Sequence, residues 1–403
     1  MGHETPTTWR SALRTAGLAY LFSRLCVLIG AALIAAELRA DENVRLEKFS
    51  TSPWADPDYA RKVIPKNALR PMLDVLTSWD GVWYLRLVRL GYPTFVRPNV
   101  DYDVWDARAA FFPLYPMSVR ALDAVLPGGD IEAALLLNFI LGAVAVYIVG
   151  LIARRLYGES VALKAMVLMS MFPGAFVLSF AYTEALLVVL AAGCLWALSE
   201  RRWWLAGVLA ALGTATRPNG IALVAACAVA AWIAVRERRE WRSLVAVALS
   251  PLGFVGFMLW VDSHTAERGV WFRVQTEAWG EGTSFGWTAV RRTAKAIAHP
   301  LSSPTNTITL TSMVALVLLM WFLSRHRLPA PMVAYSLAVI VLMLLPATVT
   351  ARPRFLYTAF PLLIPAAVWL DRDRRGWWTW AMSACAAGLV ALTTLYGAYG
   401  AIP

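Results

Sequence analysis

Long apolar runs separated by short charged turns dominate the pattern along this chain. A helix that crosses a hydrocarbon core needs about 20 predominantly apolar residues, and about 11 runs approach or exceed that length. The runs lie at approximately 13–36, 131–153, 161–180, 183–198, 203–215, 220–235, 244–261, 307–323, 332–349, 355–370 and 377–398. The pattern predicts an all-α polytopic membrane protein with about 11 transmembrane helices, or slightly fewer if Pro218 and Gly220 break one helix.

Two polar intervals interrupt these runs, at residues 37–130 and 262–306. No linker or low-complexity segment separates a soluble domain from the apolar runs. We therefore expect residues 1–403 to form a single membrane domain that carries two large loops.

The first loop contains a predicted helix between Trp79 and Leu90. Trp79, Val82 and Trp83 share one face of this helix, as their spacing of three to four residues requires. The pattern predicts an interfacial helix lying on the bilayer, with Asp80 in its first turn.

Arginine clusters occupy the N-terminus and then every second loop between the apolar runs. The clusters are Arg10 and Arg14, Arg154 and Arg155, Arg201 and Arg202, Arg236, Arg238 and Arg239, Arg325 and Arg327, and Arg372, Arg374 and Arg375. Short cytoplasmic loops of membrane proteins carry an excess of Lys and Arg. The distribution predicts that all clusters face the cytoplasm and that both polar intervals are extracytoplasmic.

Composition supports the membrane assignment and excludes several other classes. Hydrophobic residues make up 59% of the 403 positions and charged residues only 16%, which is more apolar than a soluble core requires. The net charge of +11 lies in short clusters between spans, so no basic face for nucleic acid is expected. The four cysteines fall inside apolar runs and the four histidines are scattered, so neither set suggests a metal site.

Three arginines at the predicted outer ends of spans, Arg217, Arg352 and Arg354, have the wrong sign for that side of the membrane. One interpretation is snorkelling or a local salt bridge. The other is an anionic ligand held at the membrane face. Arg352 and Arg354 flank a rigid proline, an arrangement suited to gripping a phosphate.

Acidic residues of the first loop allow different interpretations. Asp80 is either a helix-capping residue or a functional acid. Asp101 and Asp103 match the Asp-x-Asp pattern of metal-dependent nucleotide-sugar transferases, but the chain has no glycine fingerprint and no alternating strands and helices to present it. A solvated acidic loop is therefore expected there, and no cofactor or metal dependence.

The motifs of the first loop occur in a recognisable order: Trp79-Asp80, Trp83-Tyr84, Gly91-Tyr92, Phe111-Phe112-Pro113 and Tyr115-Pro116. In this order they resemble the PIG-V family of glycosylphosphatidylinositol mannosyltransferase II and its bacterial relatives. Residues 275–280 of the second loop also resemble this family, but less specifically. Ser78 and Trp83 replace the arginine and histidine of eukaryotic members, so a glycosylphosphatidylinositol acceptor is not carried over.

The resemblance implies a GT-C glycosyltransferase, a multi-span enzyme that uses a polyprenyl-phosphate sugar and has its catalytic acid in the first outer loop. Asp80 would be the catalytic base of an inverting transfer, and Glu184 and Asp262, each at the outer end of a span, are rival acids for that role. The expected substrate-binding residues are Trp79, Trp83 and Tyr84 for the sugar or prenyl chain, Arg217, Arg352 and Arg354 for the phosphate, Glu184 for the acceptor, and Gln275 in the second loop.

The predicted function is transfer of mannose from polyprenyl-phosphate-mannose to a glycolipid or surface glycan at the outer face of a bacterial plasma membrane. The expected partners are therefore the donor lipid, the acceptor and membrane lipids. Transfer of arabinose or glucose is an alternative, because no motif reads the hydroxyl stereochemistry of the sugar. A lipid or glycan transporter is the non-enzymatic alternative, and it would place ionisable residues in the middle of spans.

Overall fold

Helices occupy each of the apolar runs in the computed structural model, which describes residues 8–40, 69–101, 105–348, 353–372 and 375–398. In chain order the α-helices are α1 (Trp9–Ala40), α2 (Leu69–Leu76), α3 (Asp80–Leu90), α4 (Leu114–Asp123), α5 (Asp130–Tyr157), α6 (Glu159–Met171), α7 (Glu184–Ser199), α8 (Trp203–Thr214), α9 (Ala222–Arg238), α10 (Leu244–Leu249), α11 (Leu252–Thr265), α12 (Val270–Trp279), α13 (Trp287–Ala298), α14 (Pro304–Arg325), α15 (Ala330–Leu344), α16 (Pro353–Thr358), α17 (Leu363–Asp371) and α18 (Trp377–Gly397). Short 3-10 helices lie at Ala107–Ala110, Pro173–Ser179, Pro218–Ile221, Trp241–Ser243 and Phe360–Leu362.

The all-α polytopic class predicted from the sequence is confirmed. Within the described residues, 6 helical stretches are long and apolar enough to cross a membrane, and α6 with the 3-10 helix that follows forms a seventh if this pair, bent by 70°, is one span. The remaining apolar helices are shorter, as in α7 with 16 residues and α8 with 12. At 1.5 Å per residue these reach about 18–24 Å, less than the hydrocarbon thickness of about 30 Å. The count of eleven crossings therefore stays a prediction.

The bundle is assembled from neighbouring helices along the chain and from its two ends. α1 packs against α18 and α6, while α5 packs against α6 and α7. α9 packs against α15. Many of the buried positions in these helices are alanines, such as Ala162 and Ala165 of α6, which let the helix backbones approach closely.

The predicted cytoplasmic clusters lie together at one end of the bundle. The contacts that join them are Arg154 over the ring of Trp9, Arg155 with Glu200, Arg201 with Glu240, Lys164 with Asp371, and the Tyr157 hydroxyl with the carbonyl of Arg327. α5 runs from this end to the opposite one, where Asp130 forms an ion pair with Arg89 at 2.6 Å. The bundle therefore has a basic end and, opposite it, an end covered by the polar loops.

A cap covers that opposite end. It consists of α3, the described residues 91–112, and the stretch 266–286 that includes α12. Trp83, Phe112 and Val274 share a buried apolar cluster in the cap with Phe257 of α11. The Trp side chains at the start of α3 that we expected to rest on lipid are enclosed by protein instead: Trp83 packs against the second loop, and Trp79 packs against Tyr396 of α18.

Arg273 of α12 ties the two loops of the cap together. Its guanidinium donates hydrogen bonds to the backbone carbonyls of Val96 and Arg97, each at 3.1 Å. It also forms ion pairs with Glu267 at 2.6 Å and Glu277 at 2.8 Å. The hydrogen bonds from Arg273 hold the pKa of the Glu267 carboxyl below its ordinary value.

Candidate functional site

Asp80 begins α3 and points away from the backbone groups that a capping residue would bind. Trp79 occupies the N-cap position, and no side chain caps the helix there. Trp79 has a φ of 58°, which is unfavourable for a bulky residue and is often found at functional sites. Its indole nitrogen donates to the carbonyl of Tyr396 at 3.0 Å, which holds the turn in place. The Asp80 carboxylate is thereby left to contact side chains instead of the helix terminus.

The partner of Asp80 is Arg354, which lies 274 residues away in the chain and is the second residue of the short helix α16. Arg354 Nη1 contacts Asp80 Oδ2 at 2.6 Å. The Arg354 side chain is only 6% exposed, whereas that of Asp80 is 22% exposed. The rings of Tyr182 and Phe355 lie 5.6 and 5.3 Å from the guanidinium. The arginine is therefore fixed in the protein and the carboxylate remains open on one side.

The sharp break after α6 brings these two residues together. At Gly174, in the 3-10 helix of the break, an added Cβ would lie 2.8 Å from the Cβ of Tyr357 and still closer to the carbonyl oxygen of Pro353. Only glycine permits this approach to α16, which places Arg354. Further along, the Tyr182 hydroxyl donates to the carbonyl of Ser78 at 3.1 Å, which positions the turn before Asp80.

Arg24, in the middle of α1, stabilises the break. Its buried guanidinium donates to the carbonyl of Ala175 and to the hydroxyl of Ser179, each at 2.9 Å, and to the carbonyl of Ser170 at 3.3 Å. Backbone carbonyls freed by a broken helix need such partners inside a membrane. Arg24 was not predicted as a site residue, although an arginine inside the first apolar run was the available signal.

A second buried ion pair joins Glu184, at the start of α7, to Arg217. Their side chains are 2% and 9% exposed. The guanidinium of Arg217 lies 5.0 Å from the ring of Phe355, so this ring contacts both Arg217 and Arg354. Glu184 lies behind Arg217 and does not line the cavity described next, so its contact is with the arginine.

A cavity of about 530 Å³ lies between the cap and the bundle. Of the residues predicted to form the site, Trp79, Asp80, Tyr84, Arg217, Gln275 and Arg354 line it. Trp83 does not line it: its side chain is buried and its ring stacks on Phe111, with 5.7 Å between ring centroids. Arg352 lies outside the described residues.

Among the polar residues of the cavity wall that were not named as site residues from the sequence are Asn219 and Glu281. Asn219 follows Arg217 in the turn before α9, is 8% exposed, and has no hydrogen-bond partner for its amide nitrogen in the described part of the chain. Glu281 follows α12 and adds a second carboxylate to the cavity. The loop around Arg217 was an available signal for Asn219, whereas nothing in the local pattern distinguishes Glu281.

The hydroxyl of Tyr84 is a hydrogen-bond donor in this site. Burial, with a further contribution from the Asp80 carboxylate, raises the pKa of Tyr84 well above its ordinary value. It therefore stays protonated and donates to the hydroxyl of Thr183 at 3.4 Å. Where the structure describes the chain, no three His, Cys, Asp or Glu side chains converge as metal ligands, and metal independence stays a prediction.

Comparisons with known proteins agree with the resemblance seen in the first loop. Residues 113–261 match the family described as dolichyl-phosphate-mannose-protein mannosyltransferase. The chain is also 25% identical over 199 residues to GPI alpha-1,6-mannosyltransferase 2 of Cricetulus griseus, a match that covers 46% of this chain and 38% of that enzyme. The predicted resemblance to this group of proteins is confirmed.

Solved structures show the same fold. ArnT from Cupriavidus metallidurans, crystallised with undecaprenyl phosphate, is 16% identical and superposes with a TM-score of 0.50 over 76% of this chain and 61% of ArnT. Its apo structure is also 16% identical and gives a TM-score of 0.49, covering 73% and 59% of the two chains. This chain thus spans less than two thirds of these relatives, and what it shares with ArnT is the membrane fold.

Proposed function

We propose that this chain, which resembles GPI mannosyltransferases and shares the fold of ArnT, is an inverting glycosyltransferase. It moves a mannosyl residue from polyprenyl-phosphate-mannose to a glycolipid or surface-glycan acceptor. The observation that carries the proposal is the ion pair of Asp80 with Arg354 in the wall of a cavity between bundle and cap. This pair places a base beside a fixed positive charge, which is what the reaction requires.

The chemistry assigns one task to each charge. Asp80 accepts the proton of the acceptor hydroxyl while the acceptor oxygen forms a bond to C1 of the sugar. The bond from C1 to the phosphate oxygen breaks on the opposite face, and its electron pair leaves with the lipid phosphate. Arg354 and Arg217, both in the cavity wall, stabilise the charge that develops on this phosphate.

The surroundings of the cavity support a lipid-linked donor. Aromatic side chains line it from both bundle and cap, among them Trp79, Phe112, Phe355 and Tyr396. Such a wall suits a prenyl chain that enters from the bilayer. The undecaprenyl phosphate bound by ArnT supports a donor of this class for the present chain.

Mannose is the proposed sugar because the matching family and the hamster relative are both described as mannosyltransferases. Arabinose and glucose are the alternatives, since the cavity alone does not name a sugar. We propose a plasma membrane of bacteria as the location, with the cavity outside. The gathering of the basic clusters at the opposite end of the bundle supports that orientation.

A transporter would line its pathway with ionisable residues in the middle of spans. Arg24 is such a residue, but its guanidinium is bound to backbone carbonyls and a serine hydroxyl and does not line the cavity. The charges of the cavity belong instead to helix ends and loops. This arrangement favours chemistry at the membrane surface over transport.

Replacement of Asp80 by Asn tests the assignment. Purified protein in lipid nanodiscs is supplied with undecaprenyl-phosphate-mannose and bacterial membrane lipids, and sugar transfer is measured. A positioned general base contributes about 10²- to 10⁴-fold, so Asp80→Asn should reduce the rate by that amount. Donors carrying arabinose or glucose, assayed in parallel, identify the sugar.

The matched control is Asp101→Asn. Asp101 is exposed, does not line the cavity, and begins the Asp-x-Asp pattern, so this variant should keep normal activity. Equal transfer by wild type and Asp80→Asn would exclude Asp80 as the base. Loss of activity in Asp101→Asn would indicate that the Asp-x-Asp pattern binds a metal.

A further inference from the structure

α12 presents a regular stripe of side chains to the cavity. Trp271, Gln275 and Trp279 are four residues apart and therefore share one helix face, and all line the cavity. Phe272 and Thr276, on the adjacent stripe, line it as well. On the cap side, the cavity wall thus presents the Gln275 amide between the indoles of Trp271 and Trp279.

The helix is held firmly in this orientation. Val270, Val274 and Ala278 form a buried stripe on α12 within the apolar cluster of the cap. The indole nitrogen of Trp271 donates to the carbonyl of Ala110 at 2.9 Å, which fixes that ring. A wall anchored in this way is pre-organised for a ligand.

Gln275 is the only glutamine among the 403 residues. Its side chain is half-buried and makes no hydrogen bond to any residue that the structure describes. A primary amide offers two donors and one acceptor oxygen. A ligand with hydroxyl groups, which donate and accept at once, matches this capacity.

We propose that this face of α12 is the subsite for a carbohydrate acceptor. The indoles of Trp271 and Trp279, about two helical turns apart, contact the apolar faces of neighbouring sugar units, and the Gln275 amide between them binds hydroxyl groups. Aromatic walls with a few well-placed polar groups are the usual form of small-molecule sites. The proposal rests on the proposed function, which assigns the phosphate of the donor to the bundle wall.

The acceptor fits this wall better than the donor sugar does. Arg217 and Arg354 hold the donor phosphate on the bundle side, and inversion requires the acceptor to attack C1 from the side away from that phosphate. Across the cavity from the bundle lies the cap, and with it α12. Asp80, which also lines the cavity, is then available to the attacking hydroxyl.

Binding of methyl α-mannoside and an α-linked mannobiose to the detergent-solubilised protein tests the subsite, measured by ligand-observed saturation-transfer NMR. The Gln275→Ala variant should bind the sugars about fivefold to tenfold more weakly than the wild type, because it lacks the amide contact. Gln275→Glu, which keeps the size but loses the donors, should weaken it as well. Undecaprenyl phosphate binding, followed by tryptophan fluorescence, should change less than about twofold in both variants.

The control is Asn306→Ala, which removes the same chemical group from the first turn of α14. The Asn306 amide donates to the carbonyl of His299 and the hydroxyl of Ser302 and lies outside the cavity. This variant should bind sugar like the wild type.

The outcomes distinguish a refutation of the subsite from a refutation of the proposed function. If the wild type binds undecaprenyl phosphate but neither sugar, or if both Gln275 variants bind sugar normally, the subsite is refuted and the transferase stands. Absence of binding to both the lipid and the sugars by the wild type would refute both.

Discussion

The charged residues of the site work as buried pairs, and each arginine has one carboxylate partner. Arg354 pairs with Asp80 and Arg217 with Glu184, while the ring of Phe355 contacts both guanidinium groups. Burial of a charge is costly, and each partner offsets that cost for the other. The more deeply buried pair, Glu184 with Arg217, should therefore be the one that matters most for stability.

Glu184→Gln should destabilise the protein by about 3–5 kcal/mol, because it leaves the buried charge of Arg217 without a partner. The double variant Glu184→Gln/Arg217→Met should recover most of that loss, since neither charge remains. Unfolding in SDS titrations measures the stability of the single and the double variant. A Glu184→Gln protein as stable as the wild type would show that the pair is not buried as described.

At the scale of elements, the break between α6 and its 3-10 helix organises the site. Arg24 satisfies its carbonyls and Gly174 lets α16 approach. Tyr182, just beyond the break, reaches the turn that precedes Asp80. Both partners of the Asp80–Arg354 ion pair thus depend on one irregular segment.

Gly174→Ala should lower stability by about 1–3 kcal/mol, because the new methyl group meets Tyr357 and the carbonyl of Pro353. Displacement of Arg354 should also reduce sugar transfer, by roughly 10²-fold if the shift approaches 1 Å. Thermal unfolding and the transfer assay measure these effects.

Gly256→Ala in α11 is the control, since an added Cβ there meets nothing within 4 Å. It should leave transfer unchanged and should not lower stability, because Ala is favoured over Gly inside a helix by about 0.5–1 kcal/mol. Equal behaviour of the two variants would contradict the role of Gly174.

The cap should loosen in acid. Because the pKa of Glu267 is lowered in the folded state, its ion pair with Arg273 adds stability at neutral pH that is lost as pH falls below about 4.3. The protection of amides in residues 91–101 and 266–280 against hydrogen exchange, measured relative to the intrinsic exchange rate at each pH, should therefore fall below that pH. In Glu267→Gln, exchange should already be faster at pH 7 and should respond less to acid; an unchanged acid response would assign the effect to another group.

At the scale of the whole molecule, the two ends of the bundle differ. One end carries the basic clusters, and the other carries the cap and the cavity. If the basic end lies in the cytoplasm, as we propose, the cavity opens on the opposite side of the membrane.

Cysteine labelling tests this orientation. A membrane-impermeant maleimide should label Phe285→Cys, which is 85% exposed in the cap, in intact cells. It should label Arg239→Cys, exposed at the basic end, only after permeabilisation. The blank is the Cys385→Ala protein, because Cys26, Cys194 and Cys227 are buried whereas Cys385 is partly exposed, and both cysteine variants carry the same replacement. The reverse pattern would place the cavity in the cytoplasm.

Local pattern alone determined the class of this protein and the position of its helices, because apolar runs and helical spacing are properties of neighbouring residues. Charge pattern also marked Arg217 and Arg354, and the resemblance to a known family marked Asp80 and Gln275; the fold gathers all four around one cavity. The tertiary structure decided which of them pair.

Nothing local could connect Asp80 with Arg354 across 274 positions, since that contact arises only when a broken helix and the ends of short spans meet. For the same reason, packing alone put Glu184 behind Arg217, removed Trp83 from the cavity, and brought Asn219 and Glu281 into its wall.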